Sequence, residues 1–278
     1  MNKKIYKLLA ALGLLAAISA APLAQAGSLV ADWQFADAAG TTLNASPNTG
    51  TGAGSNWGLD LTGSSSNGSG QFRIANDGKG GATGTRSAYA DLLPDLGEFS
   101  SGTLSLFTQF AAWNSAGSQA NAPSFTLGFI EGNYFSSAQF TLSALASGFG
   151  LRGEVDAYGG GANLAQTWQS SGAFQPLTVR LDVNLDLLGY SLAVDSGSGY
   201  TSLGHAAIDP ATFAINSLRL SVDGDFSANN ALFIERIWVE SAPTSAVPEP
   251  SALWLGLLGL SILAVMSRRR TAYGTAGR

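Results

Sequence analysis

The chain has 278 residues, a formal net charge of −5, 12% charged residues and no cysteine. The charge is unevenly placed: between Gly27 and Val247, seven Lys and Arg face eighteen Asp and Glu, so this body carries −11 and the basic residues gather at the two ends. An acidic body lacks the positive surface that nucleic acid requires, and without cysteine no disulfide can staple it, so about 220 residues must fold on their own apolar core.

In chain order the first feature is an export signal. Lys3, Lys4 and Lys7 precede the apolar run Leu8–Ile18, and Ala24-Gln25-Ala26 offers small residues where a signal peptidase reads them. Residues 1–26 are thus expected to be removed, leaving Gly27 as the new N-terminus, with the body beyond the inner membrane.

The body reads as strands. Candidates are Leu29–Phe35, Gln71–Ile74, Ser87–Leu92, Gly102–Phe110, Ser124–Ile130, Ser137–Leu142, Phe149–Asp156, Leu177–Asp182, Gly189–Val194, Ser217–Val222 and Leu232–Val239. In Leu177-Thr178-Val179-Arg180-Leu181-Asp182-Val183 the apolar residues fall on one face and Thr, Arg and Asp on the other; Leu218–Asp223 repeats the pattern. Period-two alternation with one polar face predicts antiparallel sheets wetted on one side. Gly- and Ser-rich turns, such as Gly63–Gly68 and Asp195–Gly199, separate the strands. No long 3.6-residue stripe and no fixed-period repeat occurs in the body, so the expected fold is an all-β antiparallel sandwich over residues 27–240.

Three segments carry a resemblance. Trp33-Gln34-Phe35, with the Gly40-Thr41 turn and the loop Asn44–Gly50, looks like the opening of laminin-G/concanavalin-like jelly rolls. Tyr190–Asp195 before a Gly-Ser-Gly turn is similar to their late hairpin, and Phe233–Val239 to their closing strand. The resemblance implies a jelly roll of a kind that often binds sugars. Trp57, Trp113, Tyr158 and Trp168 lie in or beside Gly/Ser/Asn-rich segments, where an exposed ring would stack on a pyranose face. Trp33 and Trp238 sit in strands and are expected in the core.

Calcium is a second candidate ligand, although no cofactor is required. Asp223 and Asp225 put oxygen ligands on one turn, and Asp32 and Glu235 would converge if the first and last strands pair. The sole histidine, His205, is expected in a turn.

An enzyme is the alternative. Glu154-Val155-Asp156 resembles the start of the E-x-D-x-x-E catalytic strand of laminarinase-type glycoside hydrolases, but Tyr158 and Gly159 stand where the last glutamate belongs. Retaining hydrolysis needs two carboxylates about 5–5.5 Å apart. No G-x-S-x-G elbow, H-E-x-x-H motif or histidine-rich cluster is present. The expectation is therefore a non-catalytic body.

The tail is the most specific segment. After a linker, 241–246, come Val247-Pro248-Glu249-Pro250, the uncharged run Ser251–Met266, and Arg268-Arg269-Arg270. At ~1.5 Å per residue this run forms a helix about 24 Å long, slightly short for a ~30 Å hydrocarbon core. The arginines predict a cytoplasmic C-terminus for a helix over 251–267, with 271–278 as a cytoplasmic tail. Pro248 and Pro250 hold the preceding peptide extended and open to a membrane-embedded processing enzyme. Residues 247–270 resemble the PEP-CTERM sorting signal of Gram-negative bacteria that make extracellular polysaccharide. The resemblance implies an exosortase-type partner, inner-membrane anchoring before processing, and delivery to the cell surface or matrix. Extracellular polysaccharide is the expected ligand.

Overall fold

The structure, a computed structural model, describes residues 27–50, 57–58, 61, 63–75, 87–92, 98–114, 123–130, 137–145, 148–156, 164–169, 173–208, 215–224, 226 and 230–242. They all belong to the compact unit Met1–Pro243; a second unit, Thr244–Arg278, lies outside them. The signal peptide, the sorting motif, the apolar run and the cytoplasmic tail are therefore outside the described residues. Among the described residues no helix is long and apolar enough to cross a membrane.

The strands, in order, are β1 (Ser28–Trp33), β2 (Ser65–Ser66), β3 (Phe72–Ile74), β4 (Ser87–Asp91), β5 (Thr103–Trp113), β6 (Ser124–Ile130), β7 (Ser137–Leu145), β8 (Gly148–Asp156), β9 (Leu164–Gln169), β10 (Leu177–Asn184), β11 (Gly189–Asp195), β12 (Thr201–Ala207), β13 (Ser217–Asp223) and β14 (Leu232–Ala242). One 3-10 turn, Leu43–Ala45, is the helical element among the described residues. All pairings are antiparallel. An eight-stranded sheet runs β12-β11-β10-β5-β14-β3-β2, with β1 also on β14, and a six-stranded sheet runs β4-β13-β6-β7-β8-β9.

Alternation builds the core. In β10 the apolar residues Leu177, Val179, Leu181 and Val183 are buried, while Thr178, Arg180 and Asp182 are half-buried on the other face. Leu218, Leu220 and Val222 do the same on β13. The buried faces of both sheets merge in one apolar cluster. Phe110 of the larger sheet meets Phe125 and Phe140 of the smaller one edge to face, at 5.4 and 6.3 Å between ring centroids. Such contacts add to the area buried.

All eleven sequence-predicted strands are present, several with longer ends. Three further strands lie where turns or loops were expected. β2 falls inside the Gly63–Gly68 turn, β9 contains Trp168, and β12 contains His205, which is exposed on an edge strand rather than in a turn. The pattern of β12 explains the miss: it is largely solvent-exposed, interrupted by Gly204 at φ 140°, and has no buried alternation to read. β14 runs on to Ala242, where Ser241 and Ala242 still pair with Leu104 and Thr103.

Truncating the residue that joins the two sheets tests this packing. Phe110→Ala should cost about 3–5 kcal/mol, the usual range for a buried Phe→Ala change. Urea unfolding should show a clearly lower midpoint at an unchanged slope.

Candidate functional site

The polar face of the six-stranded sheet carries the most chemically varied surface described. Strand pairing aligns three cross-strand rows on it. The central row is Tyr89 (β4), Arg219 (β13), Gly128 (β6), Gln139 (β7) and Glu154 (β8). Beside it run Ser87, Ser221, Thr126, Thr141 and Arg152 on one side, and Asp91, Ser217, Ile130, Ser137 and Asp156 on the other. Phe125, Leu127, Phe140 and Leu151 on the same strands point into the core, so alternation assigns the described side chains of these rows to the opposite face.

Arg219 organises the row. Its Nη2 donates to Gln139 Oε1 at 2.9 Å, reaching across the whole width of β6. Two inter-strand spacings are about 9.6 Å, a span the long side chain covers only if the strand between leaves room. Gly128 leaves it: a Cβ there would run into the Ala138 carbonyl and the Gln139 side chain. The Arg219 Nε atom is buried without a hydrogen-bond acceptor. Gln139 is 5% exposed and Ile130 1%, so the floor of this face is sheltered from bulk water. Around it the hydroxyls pair across strands: Ser87 with Ser221 and Thr126 with Thr141 at 2.9 Å, and Ser217 Oγ onto Asp91 Oδ1 at 2.8 Å.

The backbone register sets Glu154, the first acid of the E-x-D resemblance, against Gln139, and Asp156 against Ser137. Residues 158 and 159, where that resemblance needs its last acid, lie outside the described residues.

The outer face of the eight-stranded sheet is different. One register line joins Asp32 (β1), Trp238 (β14), Phe107 (β5) and Arg180 (β10). Phe107 and Trp238 stack with parallel rings 4.7 Å apart. Arg236 lies over Trp238 at 4.6 Å and Arg180 over Phe107 at 5.4 Å, so a cation closes each end of the stack. Asp32, 2% exposed, accepts both Arg236 Nε and Nη2, at 2.7 and 3.0 Å; Gln34 Nε2 also donates to its Oδ2 at 2.7 Å. The hydrogen bond from Arg236 to Asp32 raises the Arg236 pKa above its ordinary value. Burial likewise raises the phenol of Tyr200, which flanks Arg180.

Several expected site residues are placed otherwise. Trp57 is 1% exposed and packs on Trp33 at 5.1 Å; Trp113 is 3% exposed, stacks on Phe226 at 5.7 Å and donates Nε1–H to Asn230 Oδ1 at 3.0 Å. Buried rings cannot take a sugar, so neither is a stacking platform. Trp113 belongs to the extended end of β5, where a register shift opposite Phe233/Ile234 turns it inward. Trp238 is not in the core but on the outer face. Trp168 lies in β9 with its side chain outside the described residues, and Tyr158 and Asp225 lie outside them altogether. The first and last strands do pair, yet Asp32 stands opposite Trp238, not Glu235, and the guanidinium of Arg236 occupies the place a cation would take. Asp223 is exposed at the end of β13. Among the described residues no group of three acidic or histidine side chains gathers to hold a metal.

Residues 246–270 match the PEP-CTERM protein-sorting motif. The motif marks an exported protein sorted by an exosortase, and its bounds extend the sequence-derived ones by one residue. No curated protein matches the chain as a whole. Similar solved structures include the binding domain of botulinum neurotoxin serotype D (11% identity, TM-score 0.49, 82% of this chain and 52% of that one). Another is the endo-1,3-beta-glucanase of Streptomyces sioyaensis (12%, 0.46, 79% and 98%), and a third is peanut lectin (10%, 0.44, 67% and 90%). The chain spans about half of the neurotoxin domain and 33% of a further match. At such identities the likeness does not extend to chemistry.

Two substitutions check the site's construction. Gly128→Ala should cost about 1–3 kcal/mol by overpacking and displace Arg219, seen as a lower urea midpoint. Arg236→Ala strands the buried Asp32 carboxylate and should cost about 2 kcal/mol, with Arg236→Lys recovering only part, because the two-pronged contact is lost.

Proposed function

We propose that this chain is an exported, non-catalytic envelope or matrix protein, cut by an exosortase-type enzyme near Pro248-Glu249-Pro250 after transient anchoring in the inner membrane, and associated with extracellular polysaccharide. The PEP-CTERM match over residues 246–270 carries the reading. The body's chemistry supports it. The described side chains of the polar face offer hydroxyls, an amide, guanidinium groups and the Asp91 carboxylate, a donor and acceptor set suited to a polyhydroxylated chain. The sequence supports the non-catalytic part: Tyr158 and Gly159 stand where the E-x-D-x-x-E pattern needs its last acid. The −11 charge of the body keeps it soluble outside the cell.

Two measurements test the two halves. Replacing Pro248 and Glu249 with alanine in the native host should leave a longer, membrane-retained form by mass spectrometry; an unchanged mature C-terminus sinks the sorting reading. Titration of the mature protein against the host's extracellular polysaccharide should show binding without release of reducing ends, and Arg219→Ala should weaken it roughly tenfold, the worth of one hydrogen bond to a charged group. Released reducing ends would instead establish an enzyme.

A further inference from the structure

Leu187 is 81% exposed, far more than Leu145 (42%) or Tyr200 (45%), the other large apolar residues open to solvent among those described. It sits in the loop 185–188 that joins Asn184 of β10 to Gly189 of β11. A lone exposed leucine is ordinary; this one is held in place. Asn184 Oδ1 accepts the N–H groups of Asp186 and Leu187, at 3.1 and 2.8 Å. Asp186 Oδ2 accepts Gly102 N–H at 3.1 Å, and the Leu185 N–H donates to the Gly102 carbonyl at 2.9 Å. Leu188 accepts from Ile208 N–H at 2.7 Å and takes a left-handed φ of 51°, which glycine or asparagine would adopt at lower cost. The loop is pinned on both sides so that the leucine points away from the core.

Its place gives the leucine meaning. Thr103 registers with Asn184 on one side and with Ala242, the last residue of β14, on the other. The tip therefore stands two strand spacings, about 10 Å, from the point where the chain leaves the sheet. From there residues 243–250 lead to the apolar run at Ser251, a leash of at most about 29 Å when fully extended. The tip and the chain's exit share one pole of the sandwich, while the Asp195–Tyr200 turn lies at the far end of β11.

We infer that Leu187 is a lipid-contacting finger: while the precursor is anchored through its tail, the β10–β11 tip rests in the interfacial layer of the same bilayer. This rests on the anchoring reading above. The short leash keeps the tip at high effective concentration beside the membrane, which raises the occupancy of a contact too weak to hold by itself.

The absence of cysteine makes the test direct. Full-length Leu187→Cys and Ser198→Cys chains are labelled with a polarity-sensitive fluorophore and reconstituted into phosphatidylethanolamine/phosphatidylglycerol vesicles (about 3:1) containing spin-labelled lipid. The label at 187 should shift to the blue and be quenched several-fold more than that at 198. Equal, water-like emission from both labels on chains that float with the vesicles overturns the finger and leaves the anchor standing. Chains that do not float overturn both. If the label at 187 stays in water while Leu187→Asp slows processing in the host, lipid contact is overturned and the tip belongs to the processing enzyme.

Discussion

The pairing of the first strand with the last, locked by the Asp32–Arg236 ion pair, is the constraint on which the rest of the body depends. β14 sits inside the eight-stranded sheet, bonded to β1, β3 and β5, so that sheet has no centre until residue 242 is in place. The partners are 204 positions apart in sequence, and closing so long a loop is an entropically costly step. The bidentate contact is well suited to that step. It buries a carboxylate that is tolerable only when matched, and it fixes the register of β1 against β14. With no cysteine in the chain, this non-covalent clasp stands where many exported domains carry a disulfide.

The clasp also organises the outer face. Arg236 serves two partners, holding Asp32 with its nitrogens and covering Trp238 with its plane. Trp238 then stacks on Phe107, and Phe107 under Arg180, which pairs with Asp182 at 2.8 Å. The facing planes of Trp238 and Phe107 are thus taken up by one another and by the two guanidinium groups. On the six-stranded sheet the organising arginine works differently: Gly128 leaves room for Arg219 to reach across β6 to Gln139.

Much of this was legible in the sequence because alternation is a local signal. Leu177–Val183 and Leu218–Val222 announce both their strands and their inward faces. The last arginines and the Pro-Glu-Pro motif were likewise readable without a fold. Three things were not. β12 lacks a buried face, so nothing in its residues separates it from a loop. Trp113 lies past a register shift, and parity counted from Phe107 would send it outward. The central row was invisible for a different reason: Tyr89, Arg219, Gln139 and Glu154 each read as an outward polar residue, but only the β4-β13-β6-β7-β8 order makes them neighbours. Strand order is a long-range property that no window of sequence contains.

The same pairing fixes where the two ends of the body emerge. Ser28 registers with Ser241, their hydroxyls 2.7 Å apart, so the start of β1 lies against the end of β14. On the proposed sorting route, a precursor held at both ends by one membrane would bring β1 and β14 to the same surface and shorten the loop that the clasp must close. Once β1 and β14 have paired, the ion pair and the strand hydrogen bonds hold the two ends together without such help, so on that route the pairing favours folding before release.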